Sequence, residues 1–170
     1  MKAQPQPWVF VDENPLVLKG RRNAAIAQLH LIFSTKERRP FLKDPGLRHN
    51  LHAYMAGILQ DEDCPAILIN SVEDHVHALF HLSRTVAIAT IVQRIKASSS
   101  KWLKERSPEF AAFQWQSGYG VFSVSRSRLE RVRVYVANQE EHHRTMTYQD
   151  ELRELLRKHG IEFDERYLWD

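Results

Sequence analysis

The chain has 170 residues, 43% of them hydrophobic, a size and apolar content that suit one domain with its own core. The single cysteine, Cys64, excludes an internal disulfide framework, and no apolar run reaches the roughly 18 residues that a membrane span needs. Net charge is only +3 but unevenly spread: Arg84, Arg94, Lys96, Lys101, Lys104 and Arg106 stand against Glu105, Arg126, Arg128, Arg131 and Arg133 against Glu130, and the segment after Gln139 is acid-rich. A basic centre beside an acidic end points to a local polyanion site, although a solvated helix face would read the same.

The first twenty residues carry Pro, Asp, Glu and Asn where a secretory signal needs an apolar stretch, so a cytoplasmic protein is expected, with no membrane partner. Residues 1–22 are Pro-rich and aperiodic, and read as a flexible N-terminal arm ahead of a single domain, 23–170. "AAIAQLHLIFSTK" (Ala24 to Lys36) predicts the first strand, with Gln28, His30 and Ser34 on one face and Leu29, Leu31 and Phe33 on the other. After the "RRPFLKDPG" turn region, Leu47, Leu51, Tyr54, Met55 and Ile58 have the spacing of a helix over Leu47 to Leu59. "AILINSVEDHVHALFHL" reads as two strands joined tightly near Glu73 and Asp74. Thr85 can cap a helix whose Ile88, Ile91, Val92, Ile95 and Trp102 follow the 3.6-residue period. "FQWQSGYGVFSVS" (Phe113 to Ser125) predicts a fourth strand interrupted by Gly118 and Gly120, then a helix from Ser127 to Glu141 and a last one over Tyr148 to Lys158. The order β-α-β-β-α-β predicts an α+β, ferredoxin-like antiparallel sheet with helices on one face, followed by a tyrosine-bearing C-terminal helix. The other face is expected to stay free for function.

Side chains alternate along a strand, so His75, His77 and His81 share one face of "VEDHVHALFHLS" while Val76, Ala78, Phe80 and Leu82 share the other. The apolar face belongs under the helices, which puts His75 and His77 together on the open one, where two imidazoles can bind one divalent ion. Alone, such a pair is as readily a half-exposed strand position, and His81 lies too far along to share an ion with His75. On the later helix, Arg128, Arg131, Tyr135, Gln139 and His142 form one stripe beside an apolar stripe of Leu129, Val132 and Val136. A phenol beside a cation and arginines can act as a nucleophile, although a tyrosine packed at a helix edge is the commoner case.

"HVHALF" and "YVANQEEHH", together with "LHLIFSTKERRPFL" near the start and "HGIEFDERYLW" at the end, resemble the single-tyrosine transposases of small insertion sequences. These are members of the His-hydrophobe-His (HUH) endonuclease superfamily, here of the compact IS200 type, and the likeness runs from Ala24 to Asp170. The resemblance implies His75 and His77 as metal ligands, Tyr135 as nucleophile and Gln139 as third ligand. It implies a metal-assisted enzyme, using Mg2+ or Mn2+, that cuts and rejoins single-stranded DNA at hairpin-bearing element ends through a 5′-phosphotyrosine link. It further implies a homodimer in which the tyrosine helix of one subunit completes the histidine site of the other. A domesticated or inactive relative that binds hairpin nucleic acid as a regulatory module is the alternative. Lys36, Arg38, Arg39, Lys96, Lys101, Arg128 and Arg131 are expected on DNA phosphates, with Trp115 and Tyr119 stacking on unpaired bases, whereas Phe113 and Phe122 are expected in the core. His142 and His143 are expected in solvent or on DNA.

Overall fold

In a computed structural model of the chain, residues 27–169 and the backbone of Val9–Phe10 are described. The strands are β1 (Val9–Phe10), β2 (Gln28–Ser34), β3 (Ala66–Ser71), β4 (His75–His81) and β5 (Gly120–Val124); the helices are α1 (Pro45–Asp61), α2 (Ile88–Lys104), α3 (Leu129–Ala137), α4 (Gln139–His142) and α5 (Tyr148–Lys158). They form one antiparallel sheet in the order β1-β3-β4-β2-β5. The four longer strands with α1 and α2 as crossovers are the expected ferredoxin-like unit. Of the N-terminal arm, Val9 and Phe10 pair with Ile69 and Leu68 as a short edge strand; the rest lies outside the described residues.

Alternation on β2 and β4 puts Leu29, Leu31, Phe33, Val76, Ala78 and Phe80 on the face that α1 and α2 cover with Leu51, Met55, Leu59, Ile91, Val92 and Ile95. Asp44 starts α1 by accepting a hydrogen bond from the Gly46 amide at 2.9 Å, with Pro45 in the first turn. Thr85 caps nothing: α2 begins after Ala87, which makes no side-chain cap, and the Thr85 hydroxyl bonds that of Ser83 at 3.0 Å. Phe113, Trp115 and Phe122 are all buried. The Trp115 indole N–H donates to Ser99 Oγ at 2.9 Å, so this ring is core and not a platform for DNA bases, while Tyr119 is exposed. β5 starts later than expected because the carbonyls of Gln116, Ser117 and Gly118 turn towards Lys96 Nζ, at 2.7, 3.2 and 2.7 Å, and only Trp115 bridges back, to Thr35.

The second face of the sheet is not free. Its polar residues are interleaved with Ile32, Leu68, Leu79 and Phe122, which suffice to dock the apolar stripes of two later helices. Tyr148, Leu152 and Leu156 of α5 pack on Ile32 and Phe122, and Val136 of α3 packs on Leu68 and Leu79. His75 and His77 are therefore fully buried. A Cβ on Gly120 would lie 3.0 Å from both Ile32 Cγ2 and Leu152 Cδ1, so glycine lets α5 approach this closely.

The helix expected over Ser127 to Glu141 is a 3-10 turn at Arg126–Arg128, then α3, a break at Asn138, and α4. Asn70 of β3, fully buried and paired in register with His77, holds the end of α3. Its amide Nδ2 donates to the carbonyls of Val136 and Ala137 at 2.8 and 3.2 Å. The last turn of α3 is thereby pinned over the histidines.

Candidate metal and tyrosine site

Alternation on β4 brings the His75 and His77 rings to 5.2 Å between centroids, and α3 sets the Tyr135 ring 6.1 Å from that of His77 in the same chain. A subunit-sharing arrangement is therefore not needed to bring tyrosine and histidines together. At the centre lies the carboxylate of Glu151, on α5 and only 1% exposed. Its Oε2 is 2.8 Å from His143 Nε2, 3.2 Å from His77 Nε2 and 3.4 Å from His75 Nε2. Its Oε1 accepts hydrogen bonds from the Tyr135 hydroxyl and, at 3.2 Å, from Gln139 Nε2.

The outer nitrogens of the rings are engaged as well. His75 Nδ1 donates to Asp74 Oδ1 at 2.6 Å, and His143 Nδ1 donates to the Met146 carbonyl at 2.7 Å. His77 Nδ1 meets Nε2 of buried His30 at 2.8 Å. Each imidazole thus has Nδ1 fixed by a neighbour and Nε2 directed inward, the orientation that outer partners impose on metal-binding histidines. His75, His77, His143 and Glu151 each present one donor atom, all within 4.8 Å of one another. Gln139 Oε1 is buried and without a hydrogen-bond partner, and the Nε2 atoms of His75 and His143 stand 2.9 Å apart, a spacing that needs a shared proton or cation. Imidazole nitrogens, a carboxylate and an orphaned amide oxygen fit a divalent ion.

Electrostatics follow from burial and this contact set. Burial opposes protonation of His75, but Asp74 and Glu151 outweigh it and raise its pKa; for His77 burial wins and the pKa falls. His30 falls to about 3, through burial and then His77. Burial alone would raise Glu151, yet the surrounding histidines hold it well below the usual carboxylate range. Burial and then the Glu151 charge push the Tyr135 phenol up, so in this state it stays a neutral donor.

The expected residues Tyr135, His75, His77 and Gln139 are thus brought together. His143, expected in solvent or on DNA, belongs to the cluster because the chain beyond the Asn138 break turns it inward, and His142 stays at the rim, 3.4 Å from the Tyr135 hydroxyl. Glu151 is a residue that sequence reading missed. Its signal was a charged residue on the buried stripe of Tyr148, Leu152 and Leu156. Of the expected DNA contacts, Arg128 and Arg131 line a cavity of about 710 Å³ beside Tyr135, with Lys158, His159, His30 and Phe122. Arg38 lines a second cavity of about 550 Å³ together with His143, Asp74 and Tyr148. Lys36 donates to Gln114 Oε1 at 3.2 Å, and Arg39 lies over the Phe41 ring. Lys96 is occupied by the carbonyls before β5, burial lowering its pKa to about 8, and Lys101, exposed at the end of α2, sits 3.9 Å from Glu105. No helix among the described residues is long and apolar enough to cross a membrane.

Fold and site together define an α+β protein able to hold a divalent ion beside a tyrosine hydroxyl. The profile of the family described as "Transposase IS200 like" matches residues 24–139, more than half of the chain, and the protein belongs to that family. Solved structures share the fold. A candidate transposase from Deinococcus radiodurans R1 is 23% identical with a TM-score of 0.57, the match covering 72% of this chain and 98% of that one. A REP-associated tyrosine transposase bound to a REP hairpin is 14% identical with a TM-score of 0.54, covering 75% and 74%. No curated protein sequence gives a significant match.

Proposed function

We propose that this transposase cuts and rejoins single-stranded DNA at hairpin-bearing insertion-sequence ends, with Tyr135 as nucleophile. The observation that carries the reading is the meeting of the Tyr135 hydroxyl with the inward Nε2 atoms of His75 and His77 around one buried carboxylate, in a chain of this family. His75 and His77 would hold Mg2+ or Mn2+, with Gln139 Oε1 as a further ligand; the bound ion supplies polarisation of the scissile phosphate. The bond from Tyr135 Oη to phosphorus forms as the bond to the 3′ oxygen breaks, leaving a 5′-phosphotyrosine and a free 3′ hydroxyl. Attack by another 3′ hydroxyl on that link restores the backbone and frees the tyrosine. Arg128, Arg131 and Lys158 supply positive charge along the cavity beside Tyr135, where a single strand can lie.

The regulatory alternative draws on the likeness to a hairpin-bound structure, but a module that only binds has no use for a tyrosine hydroxyl held on a buried carboxylate shared with three imidazoles. The test is a denaturant-resistant adduct between the protein and single-stranded DNA from its own element ends, in Mn2+ or Mg2+. Wild type should form it with single strands and not with duplex, and Tyr135→Phe should form none. Equal labelling of duplex sinks the single-strand assignment, and an adduct on Tyr135→Phe sinks the nucleophile.

A further inference from the structure

Glu151 lies beyond the stretch that the family profile matches, on a helix of its own, yet it touches every group of the site. A carboxylate this deeply buried is tolerated only when its charge is compensated. Its two oxygens have separate partners. Oε2 faces the Nε2 atoms of His143, His77 and His75 at 2.8, 3.2 and 3.4 Å. Oε1 faces the Tyr135 hydroxyl and the Gln139 amide nitrogen, the latter at 3.2 Å.

We propose that Glu151 is a metal ligand through Oε2 and, through Oε1, the positioning residue that holds the Tyr135 hydroxyl beside the ion. The inference rests on the metal-and-tyrosine reading above and adds a ligand that comes from α5. Two observations independent of Glu151 support a cation at this point. His75 and His143 have Nδ1 committed to acceptors, Asp74 and the Met146 carbonyl, while their Nε2 atoms stand 2.9 Å apart. Gln139 Oε1 is buried and unpartnered in the same cluster. Inward imidazoles alone suit zinc better than manganese or magnesium; adding a hard carboxylate oxygen shifts the preference towards manganese and magnesium. One rigid side chain shared by nucleophile and ligands also fixes the hydroxyl relative to the ion without needing substrate to order it.

Calorimetric titration of Mn2+ into the DNA-free protein tests this without reference to activity. Glu151→Gln preserves shape but removes the charge and one of the two acceptor oxygens, so the ion and the Tyr135 hydroxyl can no longer each have a carboxylate oxygen of its own. Its Mn2+ affinity should fall by about 10-fold or more, while Glu154→Gln, which removes a surface charge paired with Lys158 on the same helix, should bind as wild type does. Binding by Glu151→Gln within about twofold of wild type overturns the inference, and so does a wild type that binds no Mn2+. Should Glu151→Gln fail to fold, anomalous scattering from Mn2+-soaked wild-type crystals decides. A peak bonded to Glu151 supports the inference, and a peak held by the histidines and Gln139 with the carboxylate turned away overturns it. Mn2+ binding as described, with no adduct on any single strand, would sink the DNA reading and leave this ligand assignment standing.

Discussion

Replacing Asn70 tests whether the sheet itself aims the tyrosine. The Nδ2 group makes one strong bond and one weaker one to the carbonyls that end α3, at 2.8 and 3.2 Å, and the side chain is fully buried. Asn70→Ala leaves those carbonyls without their donor, a loss of about 2–3 kcal/mol at the cost of an unsatisfied buried group. For a chain of this length each kcal/mol moves Tm by about 2–4 °C, so a drop of about 4–12 °C is expected for the metal-free protein. Asn70→Asp should be worse than alanine, because a carboxylate oxygen would then face two carbonyl oxygens. Scanning calorimetry at neutral pH gives the ranking, and adduct yield should fall in step because Tyr135 loses its anchor. A drop below about 1 °C for alanine, or an aspartate variant as stable as wild type, refutes the pinning of α3 by this residue.

Two further outcomes follow from other contacts. His30 is buried with its pKa lowered to about 3, so its folded pKa lies below the unfolded value; the stability it contributes is full above about pH 6.5 and is lost as pH falls towards 3. His30→Gln, which keeps an acceptor for His77 Nδ1, should retain Mn2+ affinity and shallow the acid loss by roughly 1.4 kcal/mol per pH unit, read by urea titrations at several pH values; an unchanged acid slope counts against a buried neutral His30. Gly120→Ala sets a methyl group 3.0 Å from Ile32 and Leu152, and should cost about 1–3 kcal/mol by pushing α5 outward; a Tm equal to wild type would mean that α5 does not pack this closely.

The elements were legible where a period ran uninterrupted. Alternation through Leu29, Leu31 and Phe33, and through Val76, Ala78 and Phe80, identified both central strands and their buried face, and the last helix, expected over Tyr148 to Lys158, is α5. Reading failed where a tertiary contact overrode local pattern. Lys96 draws the carbonyls before β5 away from the sheet, and Asn70 takes the last carbonyls of α3 where the helix breaks at Asn138. The site was half legible for a related reason. Spacing paired His75 with His77 and Tyr135 with Gln139, and the resemblance joined the two pairs into one site, whereas His143 depends on a turn after Asn138 and Glu151 on α5 folding back over the sheet. Treating the histidine face as open hid the one clue to Glu151, since an acid on an apolar helix stripe is informative only if that stripe is buried.

The same contacts bear on whether the site needs a second chain. Tyr135 reaches Glu151, and Val136 and Ala137 reach Asn70, all within one molecule. Passing α3 to a neighbour would break these bonds and the packing of Val136 on Leu68 and Leu79, then remake the same set in the partner. The contact energies cancel between the two arrangements, so what separates them is the entropy of association and the strain of the connecting segments. Those segments are the exposed turn at Arg126–Arg128 before α3 and the stretch between His143 and Thr147 that leads into α5. Only residues 143–147 join α4 to α5, so α3 and α4 cannot pass to a neighbour without either stretching this short segment between the two molecules or carrying α5, with Glu151, along as a unit. Exchange of the tyrosine helix alone is therefore disfavoured here, and a single chain already carries a complete set of groups.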